Sequence, residues 1–240
     1  MTRTVRVALE GLERGRRELS RGVSQYLCAV HRLGVGDAFI AFDPEAATEC
    51  DATLLDADRR AATAELFEPR AAENRGSLAV TLLQGVGKGD KLEDVVRLVT
   101  ALGARGVCFV SAERSVARPG AERAARLRSV AIEAARQSGR GDIPSIEGPL
   151  PFAQALEPWR GPGVTRLCLD PRAATPLFAR LDEPCVLLIG PEGGWSAEEL
   201  ADARAAGFES VALGPLTLRT ELAAAAALGC FAARRAGSPP

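Results

Sequence analysis

The stretch Val186-Leu187-Leu188-Ile189-Gly190-Pro191-Glu192-Gly193-Gly194-Trp195-Ser196-Ala197-Glu198-Glu199 reads as a strand, a loop and a helix start in direct succession. Uninterrupted aliphatic residues mark a strand covered on both faces, as in a parallel sheet. Ser196 and Glu199 have capping-box spacing, with the serine hydroxyl and the glutamate carboxylate each satisfying an orphan N–H, so a helix is predicted to begin at Ser196. Between these ends, Gly190, Gly193 and Gly194 allow left-handed backbone and close approach, while Pro191 stiffens the turn.

Working outward, the same alternation continues on both sides. Upstream, the pattern predicts strands at 78–83, 106–110, 164–169 and 185–189, with helices over 91–102, 121–137 and 173–181. Downstream it predicts a helix over 196–206, a short strand over 210–213 and an alanine-rich helix over 221–235. Strands and helices alternating at this spacing call for an α/β domain built on a parallel sheet with helices on both faces. In such sheets ligands lie beyond the carboxyl ends of the strands.

Three loops there are candidates for chemistry. Gly190–Gly194 suits a backbone-lined pocket for an adenine-bearing ligand; a tight βα turn that is merely glycine-rich is the other reading. In the loop after 210–213, Arg219 and Glu221 stand at the mouth of a helix. An arginine there opposes the helix dipole, so a carboxylate, phosphate or substrate carbonyl must favour it; a structural Arg–Glu pair is the alternative. The third cluster, Gln84-Gly85-Val86-Gly87-Lys88-Gly89-Asp90, is neither a phosphate loop nor a dinucleotide fingerprint. Leu82 stands where the former needs glycine, and Gly89 where it needs Ser or Thr.

The amino-terminal part is different. Brief apolar stretches at 5–9, 38–42 and 52–55 alternate with Gly and Asp turns, and one helix over 20–33 carries Tyr26, Leu27, Val30 and Leu33 on a face. This predicts a small β-rich barrel, with the polar stretch Glu68 to Gly76 as linker. The net charge of −1 hides an uneven distribution. Residues 1–32 and 113–140 each carry seven Arg against three Glu, whereas 37–58 carries seven acids and no base. Local basic faces can meet phosphate whatever the total charge, and a solvated helix face is the bland account of the middle segment.

Six cysteines without Cys-x-x-Cys spacing and a single histidine, His31, argue against a metal site. Cys108, Cys168 and Cys185 sit in apolar runs as small hydrophobes. No apolar run approaches the roughly 20 residues that span a bilayer, and the basic start has no apolar region behind it, so no membrane partner and a cytoplasmic location are expected.

Taken together, Ile189-Gly190-Pro191-Glu192-Gly193-Gly194 with Ser196 and Glu199, then Leu213-Gly214-Pro215 and Leu218-Arg219-Thr220-Glu221 with Ala223, resemble the RsmE-type family of ribosomal RNA uracil-N3 methyltransferases, of the SPOUT class. Ala131 to Arg140 with Ile143-Pro144 is similar to a third family segment, and the resemblance covers most of the chain in order. It implies a PUA-like RNA-binding β-barrel over 1–72 and a SPOUT domain over 73–240 that ends in a trefoil knot. It further implies S-adenosylmethionine bound by Leu169, Ile189, Gly190, Glu192, Gly193, Gly194, Leu213, Gly214 and Leu218. Arg219 and Glu221 are the implied catalytic residues, and Arg136, Gln137 and Arg140 the RNA contacts. The partners would be 16S ribosomal RNA of the small subunit and a second copy of the chain as homodimer.

The chain departs from the family pattern at Leu216, Thr217 and Leu222, where Arg, an aliphatic residue and Thr are usual, and at Arg97-Leu98 with Ala101-Leu102-Gly103. Two further readings therefore stand beside the first: a catalytically weakened or inactive knotted RNA-binding protein, and a SPOUT methyltransferase for another rRNA or tRNA nucleotide.

Overall fold

The computed structural model describes residues 4–86, 92–112 and 121–237. The glycine cluster from Gly87 to Asp90, the helix start expected at Lys91 and the basic segment from Glu113 to Gly120 lie outside the described residues. The chain forms two compact units, Met1–Arg75 with Ala135–Ile143, and Gly76–Ala134 with Pro144–Pro240.

The first unit carries β1 (Arg6–Ala8), β2 (Gly15–Glu18), α1 (Arg21–Gln25, continuing as a π-helical turn to Val30), β3 (Ala38–Asp43), β4 (Thr48–Asp56), β5 (Thr63–Leu66) and β6 (Arg70–Ala71). Its sheet runs β1-β3-β4-β5-β2, with β6 on β4, and every pairing except β1 with β3 is antiparallel. Alternate residues point inward, so Phe39, Ala41, Cys50, Ala52, Leu54, Ala64 and Leu66 join Leu27 of the helix in one core. Ser20, where a helix over 20–33 was expected to begin, caps α1, its side chain accepting from Val23 N–H.

Much of the acidic run serves this unit internally. Glu49 is buried between Arg6 and Arg70, at 3.0 and 3.4 Å. Asp51 pairs with Arg70 at 2.8 Å, and Asp43 accepts backbone N–H bonds from Gly11, Glu45 and Ala46.

The second unit carries β7 (Leu78–Gly85), α2 (Leu92–Ala101), β8 (Ala104–Ser111), α3 (Ala121–Ser138, whose last turn belongs to the first unit), β9 (Ser145–Pro151), α4 (Phe152–Leu156), β10 (Thr165–Leu169), β11 (Cys185–Ile189), α5 (Ala197–Ala205), β12 (Glu209–Val211) and α6 (Thr220–Ala236). All strand pairs are parallel, in the order β12-β10-β11-β7-β8-β9. β11 sits inside the sheet and all five of its residues are buried, as an aliphatic run requires. Val186 and Leu188 face a core shared with Phe152, Leu156, Ala203 and Phe208. The α2 and α6 helices pack on each other, and α6 also packs on β7 and β11. This is the α/β fold with a parallel sheet that the alternation predicted.

One expected element is absent. Residues 173–181 form no α-helix; a single 3₁₀ turn, Leu177–Arg180, follows Pro176. Pro176 is extended and has no N–H to give a helix. The segment instead extends the sheet edge: Ala212 N–H donates to Thr175 O at 2.9 Å, and Leu177 N–H to Ala212 O at 2.8 Å. Conversely, β9 was not legible, because Gly148, Pro149 and Pro151 read as loop. It is the terminal strand of the sheet, where proline costs no internal ladder bond.

Candidate cofactor and catalytic site

The carboxyl ends of β10 and β11 and the segment after β12 enclose a cavity of about 590 Å³. All nine cofactor candidates line it: Leu169, Ile189, Gly190, Glu192, Gly193, Gly194, Leu213, Gly214 and Leu218. Three loops far apart in sequence therefore converge because β10, β11 and β12 end on the same side of one parallel sheet.

The glycine loop is tightly held. Ser196 N–H donates to Glu199 Oε2 at 2.8 Å and Glu199 N–H to Ser196 Oγ at 3.2 Å, the reciprocal box that the spacing predicted. Gly194 takes φ +68 and its N–H donates to Pro191 O at 2.8 Å, closing the turn. The loop lies over the end of β7 so closely that a Cβ on Gly85 would meet Pro191 Cδ at 2.5 Å and Trp195 Cη2 at 2.9 Å. Trp195 stands edge-on to Phe152 with centroids 4.9 Å apart. Among the described residues its buried indole N–H has no hydrogen-bond partner.

Arg219 lines the cavity, exposed, at the N-cap position of α6. Among the described residues its guanidinium makes no ion pair, so the structural Arg–Glu pair does not account for its place against the helix dipole. Glu221 lies in the first turn of α6 and is half-buried; it does not line the cavity.

Arg136, Gln137 and Arg140 belong to the first unit. Arg136 stacks over the Tyr26 ring at 3.8 Å. Arg140 is buried and pairs with Asp142 at 2.7 Å, and Gln137 is exposed.

Several residues at the site were not singled out from sequence. Asp170, Pro171 and Arg172 line the cavity beyond β10. The Arg172 guanidinium, 3.0 Å from Asp170, holds that carboxyl below the usual carboxylate range. Thr220 lines the cavity and donates its hydroxyl proton to Gly190 O at 2.7 Å, while the buried Gln84 amide donates to Thr220 Oγ1. The cysteines take no part. Burial pushes the Cys168 and Cys185 thiols up to about 12 and Cys108 up to about 11, so all three stay protonated and inert.

An apolar floor, a glycine-rich backbone wall and the positive end of a long helix form a site for a nucleoside-bearing ligand with a carbonyl or anion beside Arg219. Fold and site together define an α/β protein that builds its ligand pocket from late βα loops. A model of the RNA methyltransferase domain matches residues 74–232. The ribosomal RNA small subunit methyltransferase E of Synechocystis sp. is 34% identical over 209 residues, covering 85% of this chain and 68% of the relative. The protein of the same name from Mycobacterium bovis is 36% identical over 160 residues, but the match spans only 61% of its length. Among solved structures, the ribosomal RNA small subunit methyltransferase E of Neisseria gonorrhoeae bound to S-adenosylmethionine superposes with a TM-score of 0.85. It shares 29% identity, over 97% of this chain and 98% of that one. A methyltransferase of Legionella pneumophila in complex with the same cofactor gives 0.84 at 27% identity and 97% coverage of this chain. The chain belongs to this family of RNA methyltransferases.

Proposed function

We propose that the protein transfers a methyl group from S-adenosylmethionine to N3 of a uridine in 16S ribosomal RNA. The observation that carries this is the single cavity onto which all nine expected cofactor residues and Arg219 converge. The backbone of Gly190–Gly194 and the loop from Leu213 to Leu218 would hold the adenosine part, with Leu169 and Ile189 as apolar floor. When bound, S-adenosylmethionine supplies an already activated methyl group, so the protein's task is alignment and charge stabilisation.

Uracil N3 becomes nucleophilic as its proton leaves, and negative charge then spreads onto O2 and O4. Arg219, which lines the cavity, would stabilise that charge. Glu221, in the first turn of α6, would orient Arg219 or accept the proton once substrate is bound. The first unit would act as a PUA-like barrel gripping flanking RNA, with Arg136, Gln137 and Arg140 as its contacts; Gln137 is the one already at the surface. The trefoil knot, a homodimer and a cytoplasmic location belong to the same reading. The homodimer is supported by the exposed Leu216 and Leu218, which line the cavity, and the exposed Leu222 in the first turn of α6, apolar side chains that a second copy would cover. Among the described residues no helix is long and apolar enough to cross a membrane, and no group of His, Cys, Asp or Glu is placed to hold a metal.

Calorimetry with S-adenosylmethionine, followed by mass mapping of ribosomal RNA from a deletion strain, tests the proposal. Binding by the protein and loss of N3-methyluridine from the deletion strain are expected. The departures from the family pattern at Leu216 and Leu222 favour a second reading, an inactive knotted RNA-binding protein, and absence of cofactor binding would remove the enzyme reading. Loss of a different methylated nucleotide in rRNA or tRNA would assign the third.

A further inference from the structure

Gln84 is 1% exposed, yet among the described residues its amide oxygen has no hydrogen-bond partner. Its amide nitrogen donates to Thr220 Oγ1, a residue 136 positions away, and to Gly85 O at 3.4 Å. The Thr220 hydroxyl has one proton, which goes to Gly190 O at 2.7 Å. The hydroxyl must therefore accept from Gln84, which fixes the orientation of the amide and leaves its oxygen orphaned. An orphaned buried acceptor is costly, and an apolar side chain of similar length would avoid that cost. The donor end of Gln84 is thus the part with a task.

That task concerns the start of α6. Arg219 occupies the N-cap but makes no side-chain capping bond. A helix start without a cap frays. The Thr220 hydroxyl ties this first turn to the carbonyl of Gly190, and Gln84 at the end of β7 holds the hydroxyl in place. We infer that Gln84 is a positioning residue: through Thr220 it locks the glycine loop and the Arg219 turn into one register, so that cofactor and substrate groups meet the same cavity. Gln84 itself does not line the cavity, whereas Thr220 and Gly190 do. The inference rests on the methyltransferase reading above.

The test uses the full chain and the variants Thr220→Val, Thr220→Ser, Gln84→Met and the double Q84M/T220V. It measures the Kd for S-adenosylmethionine by calorimetry, kcat on small-subunit RNA, and Tm. T220V is expected to weaken cofactor binding roughly tenfold, the scale of one or two buried neutral hydrogen bonds, and to lower kcat. T220S, which keeps the hydroxyl, should stay within about twofold of wild type on both. Q84M should weaken binding with Tm unchanged or raised, because it removes an orphan acceptor. The double variant should be no worse than T220V alone, since both changes cut one relay. Wild-type affinity in T220V, a T220S defect as large as that of T220V, or an additive double variant would each overturn the inference. A wild-type protein that binds no S-adenosylmethionine overturns the proposed function and the inference together. Wild-type binding with unaffected variants overturns the relay alone.

Discussion

At the scale of single residues, Arg219 was legible in sequence because a cation at a helix start is locally unfavourable and needs an outside reason. Gln84 and Thr220 were not, since their link joins positions 136 residues apart and no local rule connects them. If Arg219 stabilises charge that develops only during transfer, Arg219→Ala should lower kcat by roughly 10²-fold, the usual cost of losing one such donor. The cofactor Kd should move by no more than about twofold, because the arginine acts on the acceptor base. Equal losses in cofactor affinity and kcat in isothermal titration and single-turnover assays would instead make Arg219 a cofactor ligand. Asp170 offers a test by pH. Its folded pKa is depressed, chiefly by the side-chain hydrogen bond from Arg172. The stability it contributes is therefore fully present above the unfolded value of about 3.9 and is lost as pH falls through the lower folded value. Asp170→Asn should accordingly flatten the acid limb of stability, seen as a urea midpoint that changes less between neutral pH and pH ~3 than in wild type.

At the scale of elements, the sequence was readable where one strong signal set each boundary. The run of aliphatic residues gave β11 and the Ser196–Glu199 spacing gave α5, and both are present as expected. Reading failed where tertiary pairing overrode local pattern. Residues 173–181 have helical composition, but Pro176 and pairing with Ala212 draw them to the sheet edge. β9 is made of residues that favour turns and is a strand only because β8 offers an open edge. The loop on which the cofactor site depends is fixed from two sides, and each can be tested. Ser196→Ala should cost about 1 kcal/mol of unfolding free energy by loss of the cap, measured by denaturant titration. Gly85→Ala should cost about 1–3 kcal/mol by overpacking and also weaken S-adenosylmethionine binding, since its Cβ would strike Pro191 backbone N at 2.6 Å. A Gly85→Ala protein with unchanged cofactor affinity would show that the loop can shift without consequence for the site.

At the scale of the whole molecule, total charge was a poor guide because the acids and bases are sorted by task. Glu49, Asp51 and Asp43 of the acidic run are engaged within the first unit, so the net charge of −1 does not describe the faces left for a partner. A similar sorting applies to apolar surface. Leu216, which lines the cavity, is 75% exposed, and Leu222, in the first turn of α6, is 52% exposed, in a chain whose second unit otherwise buries its aliphatic strands. Exposed aliphatic side chains grouped beside a site mark a surface that a partner covers, and the proposed homodimer gives them that partner. The wild-type protein should then sediment near twice the 25.2 kDa of one chain. Leu222→Glu would place a charge in the covered face, where an unpaired buried carboxylate costs several kcal/mol. It should shift sedimentation to the monomer while leaving Tm of the chain nearly unchanged, because Leu222 is half in solvent already. If cofactor affinity falls with dimerisation, and returns as protein concentration rises, the second copy helps shape the pocket mouth. A Leu222→Glu variant that sediments like wild type would move the dimer contact to another face and leave Leu216 and Leu222 for the RNA.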